Sequence, residues 1–289
     1  MPTALECASV VCTLFDLATY PCFDQKLDKL ARGNALAAGT FVGVDNLSGA
    51  ATAFEVRGED FREGAISAST GSIARHRTIV CALSMALSGR PCVALPSIAE
   101  KINERNLRVY IAETSGALHS ALTQYVRPEL LDASAYFGEG YLSGEMVGGV
   151  RHEDLQALSL AEGSCDLVIT SEVLEHVPYA SLAEREIVRV LAPGGSYVFT
   201  VPLEVFDDED VVLAERLDDG TLRFHGEPVY HGDPQRPEGI LAYRIFSLTQ
   251  LERRFDALGC TLATYQVWSA GLGILSADCI VHIARKRRV

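Results

Sequence analysis

Apolar residues are distributed along this chain in two textures, which change over near residue 105. After that point, compact apolar runs alternate with amphipathic stretches. "LRVYIAE", "CDLVIT" and "SYVFTVP" are rich in β-branched and aromatic residues, which predicts buried strands. "ELLDASAYF" and "GEMVGGVRHEDL" predict a second strand and a short third, and "CTLATYQVW" and "DCIVHIAR" two closing strands. Between them, "GALHSALTQYV" places Leu118, Leu122 and Val126 on one helical face. "SLAEREIVRVL" predicts a helix opened by a Ser181/Glu184 capping box and stopped before Pro193-Gly194-Gly195. "SLTQLERRFDALG" predicts another, with Ser247/Gln250 at its start and Gly259 at its end. Strands and helices alternating through short links predict an α/β sheet covered on both faces. The acidic stretch 203–241 has no regular period and is expected to pass over the edge where the strands end.

Residues 1–105 predict an N-terminal α+β appendage. "LATYPCFDQKLDKLARGNALAAG" is helical in part, with breaks expected at Pro21 and Gly33. "GTFVGVDN" and "ATAFEVRGEDF" predict short strands. "SIARHRTIVCALSMALSG" predicts a helix with Ile79, Leu83, Ala86 and Leu87 on one face and Gly89 as its stop.

Charge narrows the partners. The formal net charge is -13, which argues against a phosphate-binding surface and hence against nucleic acid. No apolar run approaches the roughly 20 residues of a membrane span, and the start of the chain lacks a basic leader segment. None of the eight cysteines forms a C-x-x-C pair, so they read as reduced thiols of a cytoplasmic protein.

In an open α/β sheet, ligands bind beyond the carboxyl ends of the strands. Those ends carry Glu113 to Gly116, Asp132 to Tyr136, His152 to Leu155 and Ser171 to His176. Acids there suit ribose hydroxyls, an adenine amino group or a cation, and not a pyrophosphate. The first loop lacks G-x-G-x-x-G, which makes a dinucleotide a poor match.

The run "VRHEDLQALSLAEGSCDLVITSEVLEHVPYASLAEREIVRVLAPGGSYVFTVP", residues 150–202, resembles the central part of class I S-adenosylmethionine-dependent methyltransferases of the type 11-like kind. Asp154-Leu155, the strand ending in Ser171-Glu172-Val173-Leu174-Glu175-His176, and Arg189-Val190-Leu191 before Pro193-Gly194-Gly195 carry the likeness. It extends over most of residues 106–285. The resemblance implies a Rossmann-like seven-stranded methyltransferase sheet with its last strand antiparallel, a methyltransferase domain over 106–289, and S-adenosylmethionine as cofactor. It further implies that Glu113, Ser115 and Gly116 run under the methionine part, and that Asp154 and Leu155 lie beside the adenine. Ser171 and Glu172 would lie near the sulfonium. The chain departs from the family twice. The glycine pair of the first loop is reduced to Gly116, and Ala135 stands where the ribose carboxylate belongs, with Asp132 and Ser134 as nearby substitutes. The appendage segment "SASTGSIARHR" resembles a zinc-ribbon ending in which Ser67 and Thr70 occupy the cysteine positions, so no zinc is expected there.

Glu172, Glu175 and His176 share a face if their segment is helical. A divalent cation is one reading of them. Local structural roles are the preferred one, because no fourth ligand is identifiable, and no metal is assigned. His176 is a candidate general base. Tyr230, His231 and Asp233, in the insert, are candidates for an acceptor-binding lid, with a plain surface loop as the alternative. The expected activity is methyl transfer to a small-molecule acceptor. The competing expectation is a methyltransferase-like binding or scaffolding protein whose cofactor site has decayed. A homodimer through the appendage is the one protein partner entertained.

Overall fold

The computed structural model describes residues 13–16, 25–91, 93–205, 207–233 and 236–288. Its centre is a seven-stranded sheet. The strands are β1 (Thr13–Asp16), β2 (Val109–Ile111), β3 (Leu131–Ala133), β4 (Cys165–Ser171), β5 (Leu191–Thr200), β6 (Cys260–Trp268) and β7 (Ile280–Lys286). Their spatial order is β1-β6-β7-β5-β4-β2-β3. The pairs β2–β3, β2–β4 and β4–β5 are parallel, and β7 lies antiparallel between β5 and β6. The reversed last strand expected from sequence is therefore present.

Alternation along these strands makes two cores, one on each face. Val109, Ile111, Leu167, Ile169, Val198 and Val281 face one core. Tyr110, Val168, Tyr197 and Phe199 face the other. The first core is covered by α2 (Ala74–Ser88), α3 (Leu95–Arg105) and α4 (Gly116–Tyr125), while α1 (Gln25–Ala38) lies outside it. The second is covered by α5 (Ala180–Val190) and α6 (Leu248–Ala257). The first core draws on residues 47–102 as freely as on 109–283, so apolar packing runs unbroken across residue 105.

Several local expectations are revised. The expected third strand is reduced to one parallel bridge, His152 beside Ala135 just past the end of β3. Gly148 and Gly149 take left-handed φ values of 58° and 87°, and the segment folds back as a two-residue ribbon, Met146–Val147 against Val150–Arg151. The seventh sheet position goes to β1, from the N-terminal region. Helix α1 continues through Gly33, and Pro21 lies outside the described residues. The box at Ser181 does not form. Tyr179 caps α5 without a side-chain bond, and buried Glu184 turns inward to accept from Arg254 Nε at 3.0 Å. Ser247 caps α6 as expected, and Gly89 ends α2 at φ 68°. The insert is more regular than its sequence suggests, being built of short β-ribbons that include Tyr230–Asp233 paired with Arg236–Leu241.

The appendage knuckle is held without thiolates. Asp45, fully buried, accepts from the Leu47 amide at 2.9 Å, from Ser72 Oγ at 3.0 Å and from Thr70 Oγ1. Buried Arg77 donates to Ser72 O at 2.6 Å, Ala65 O at 2.8 Å and Gly273 O at 3.0 Å, which ties the knuckle to the turn before β7. The described cysteines 81, 165, 260 and 279 are buried and free. Among the described residues no helix is long and apolar enough to cross a membrane.

Candidate active site

Strand β4 runs buried through Leu167 to Thr170 and ends where the chain must leave the sheet. Glu172 makes that exit with φ 53°, a left-handed conformation that a side-chain-bearing residue adopts at a cost of order 1 kcal/mol. Its amide donates to Thr200 O and Oγ1, both at 3.2 Å. The turn aims its carboxylate at Arg62 of the appendage, Nη2 to Oε1 2.5 Å. Beside it, Arg75 donates to Ser171 Oγ and to both oxygens of Glu63, at 2.7 and 3.1 Å. The end of β4 thus meets two guanidinium groups.

Beyond these strand ends lies a cavity of about 1160 Å³. Its floor includes Glu113 to Gly116, Ser134, Ala135, Ser171 and Glu172, and Arg62, Arg75 and His76 form a second wall. Gly116 opens α4 at φ 87°, and a Cβ there would stand 2.9 Å from Glu113 Oε1, so the glycine leaves room for that carboxylate. Glu113 Oε1 is buried without a hydrogen-bond partner, and burial pushes this carboxyl up to about 7. His76 is driven down to about 3 by burial and by Arg75 and Arg77, so it is neutral. A second cavity of about 520 Å³ shares Ser134, Ala135 and Tyr136 with the first and reaches Asp154 and Leu155.

At the other end of the large cavity, Leu174–His176 form a short 3-10 turn in place of a helix. Glu172 therefore parts company with Glu175 and His176. The latter two meet His231 from the insert: His176 Nε2 to His231 Nδ1 is 3.3 Å, and Glu175 Oε1 lies 3.6 and 3.7 Å from the same two nitrogens. A bulge in the ribbon, with a register shift between His231 and Asp233, turns His231 inward. Gly239, at φ 81°, permits it, since a Cβ there would lie 2.4 Å from the His231 carbonyl. Glu175 is fully buried and pushed up to about 7, and the facing carboxylate raises His231.

Residues 107–199 match the family model described as a methyltransferase domain. This stretch therefore carries a methyltransferase domain of the class I S-adenosylmethionine-dependent kind. No curated protein matches it. Among solved structures, the chain is similar to the Burkholderia thailandensis 1,6-didemethyltoxoflavin-N1-methyltransferase with bound 1,6-didemethyltoxoflavin and S-adenosylhomocysteine. That likeness is at 15% identity and TM-score 0.40, over 98% of this chain and 97% of that one. It is also similar to the YcgJ protein of Bacillus subtilis, at 14% identity and TM-score 0.37 over 63% and 93% of the chains. An S-adenosylmethionine-dependent methyltransferase of Mesorhizobium loti gives 13% identity and TM-score 0.37 over 62% and 91%.

Of the expected cofactor residues, Glu113, Ser115, Gly116, Ser134, Ser171 and Glu172 line the large cavity. Asp154 and Leu155 line the smaller one. Asp132 lines neither. Its side chain is 60% exposed and stands 4.0 Å from Arg151. Ser134 Oγ is bonded to Tyr110 OH at 2.7 Å. Of the expected catalytic residues, His176 and His231 come together at the cavity, whereas Tyr230, 53% exposed, is not part of its lining. The side chain of Asp233 lies outside what is described. The residues that sequence reasoning missed are Arg62 and Arg75. Both stand in the appendage, Arg75 within the "SIARHR" segment and Arg62 upstream of it, far from β4 in sequence.

Proposed function

We propose that this chain transfers a methyl group to a small-molecule acceptor held between the end of β4 and the His231 ribbon. The observation that carries the reading is the large cavity itself. At about 1160 Å³ it exceeds the roughly 300–1,000 Å³ of a single-ligand pocket, which leaves room for an acceptor beside a cofactor. The net charge of -13 favours a small acceptor over nucleic acid.

The residues present fit S-adenosylmethionine at the methionine end. The orphaned, buried Glu113 oxygen suits an ammonium group, while Arg75 is already held by Glu63 and Ser171. Asp154 and Gln156 offer polar edges at the adenine end. The ribose is less well served, because Ala135 presents no carboxylate and Ser134 is already engaged. That lost charge-assisted bond corresponds to roughly 1.5–3 kcal/mol, or about 10- to 100-fold in affinity. The cofactor supplies a methyl group on a cationic sulfur. The chain supplies positioning, which is most of what in-line displacement requires. Arg62 fixes Glu172 at the strand end, and the insert screens the acceptor from water.

Thermal melting with S-adenosylhomocysteine tests the reading. Ligand at about 100-fold over its dissociation constant adds roughly 2.7 kcal/mol, a rise of several degrees. No rise at millimolar ligand overturns methyl transfer and leaves the binding-protein alternative, which the Ala135 departure favours.

A further inference from the structure

We propose that Glu175, His176 and His231 form a binding site for one divalent first-row transition-metal ion at the acceptor end of the cavity. The argument is geometric. The three facing atoms are separated by 3.3, 3.6 and 3.7 Å, so the point equidistant from them lies about 2 Å from each, and zinc bonds to imidazole nitrogen and carboxylate oxygen measure about 2.0–2.2 Å. The three side chains close a ring of the right radius.

Three further observations point to an ion. Both oxygens of Glu175 are buried without a hydrogen-bond partner, and its side chain is 0% exposed. A buried carboxylate in that condition is costly unless a cation meets it. His176 Nδ1 lies 2.8 Å from the Leu241 carbonyl. Donating its proton there leaves the lone pair of Nε2 directed at the ring, and a backbone carbonyl holding the outer nitrogen is the usual support of a metal-bound histidine. Finally, His176 and His231 both line the large cavity, so the remaining coordination positions open onto it.

Two imidazoles and one carboxylate select borderline ions such as zinc, manganese, iron or cobalt over calcium and magnesium, which take mostly oxygen. The lack of a fourth protein ligand, which made sequence reasoning set a metal aside, is what an open catalytic site requires. Resting on the function proposed above, the open position would take an oxygen of the acceptor, a hydroxyl, enol or phenol, close to Ser171 and Glu172.

The probe is cobalt(II) alone, added to the full chain after chelation and dialysis and followed by visible absorption. One equivalent should bind, with d–d bands and no thiolate charge-transfer band. His231→Ala, in a half-exposed ribbon, and Glu175→Gln should each weaken binding by more than about 100-fold, beyond the roughly 10- to 100-fold that loss of an outer partner costs. His225→Ala, on the surface of the same insert, should leave it within twofold. Absence of stoichiometric binding, a thiolate band, or binding undiminished in folded His231→Ala overturns the proposal. The assay contains no cofactor, so a chain that binds S-adenosylhomocysteine without cobalt refutes the metal alone. One that binds cobalt without S-adenosylhomocysteine refutes methyl transfer alone.

Discussion

Replacing Glu113 with Gln should make the protein more stable at pH 8 and leave it nearly unchanged at pH 4.5. Glu113 is half-buried beneath the start of α4, with one oxygen buried and orphaned, and burial raises its carboxyl from 4.5 to about 7. Below pH 4.5 the group is protonated in the folded and unfolded chain alike and contributes no difference. Between pH 4.5 and 7 the folded chain holds a proton that the unfolded chain has released, so stability falls as pH rises. Above pH 7 the full cost of keeping a buried carboxylate is present, about 3 kcal/mol for a rise of this size. Glutamine carries no such cost. Urea unfolding at the two pH values should therefore give a difference within about 0.5 kcal/mol at pH 4.5 and about 3 kcal/mol in favour of the variant at pH 8. A cationic ligand at this position reverses the logic. Binding of S-adenosylhomocysteine near pH 6.5 should release a proton from the wild type and not from the variant, which calorimetry in buffers of different ionisation heat will read. An equal stability difference at both pH values would refute the burial argument, and binding heats independent of buffer would remove Glu113 from the cofactor.

Ala135→Asp should restore the missing ribose contact and tighten S-adenosylhomocysteine binding by about 10- to 100-fold in calorimetry. Unchanged or weaker affinity in a folded variant rejects the placement of the ribose. Arg62→Ala strips the partner from Glu172 at the strand end. With that carboxylate unneutralised, the ratio of affinities for cationic S-adenosylmethionine over uncharged-sulfur S-adenosylhomocysteine should rise at least about fivefold. A ratio that stays level argues that Glu172 does not face the sulfur.

What the sequence disclosed were features written in contiguous residues. Buried strands such as Leu167–Thr170 announce themselves by composition, and Ser247 by its spacing to Gln250. The failures share a different cause. The third strand was cut to a single bridge, His152 to Ala135, behind two adjacent glycines whose left-handed φ no hydrophobicity pattern encodes. Ser181 and Glu184 have the right spacing for a capping box, but Arg254, 70 residues away, claims the carboxylate. The cofactor end was legible in Glu113, Ser171 and Glu172, because strand ends are predictable once strands are. The meeting of Glu175 with His231, and of Glu172 with Arg62, depends on how an insert and an appendage fold back over the sheet. No periodicity spans such distances.

The knuckle around Asp45 has a practical consequence. Where a zinc ribbon would be dismantled by a chelator and scrambled by peroxide, a carboxylate ringed by Thr70, Ser72 and the Leu47 amide is indifferent to both reagents. The wall of the cavity that Arg62 and Arg75 provide therefore survives treatment with EDTA. Any loss of methyl transfer on chelation would report on the Glu175, His176 and His231 ring and not on collapse of the appendage.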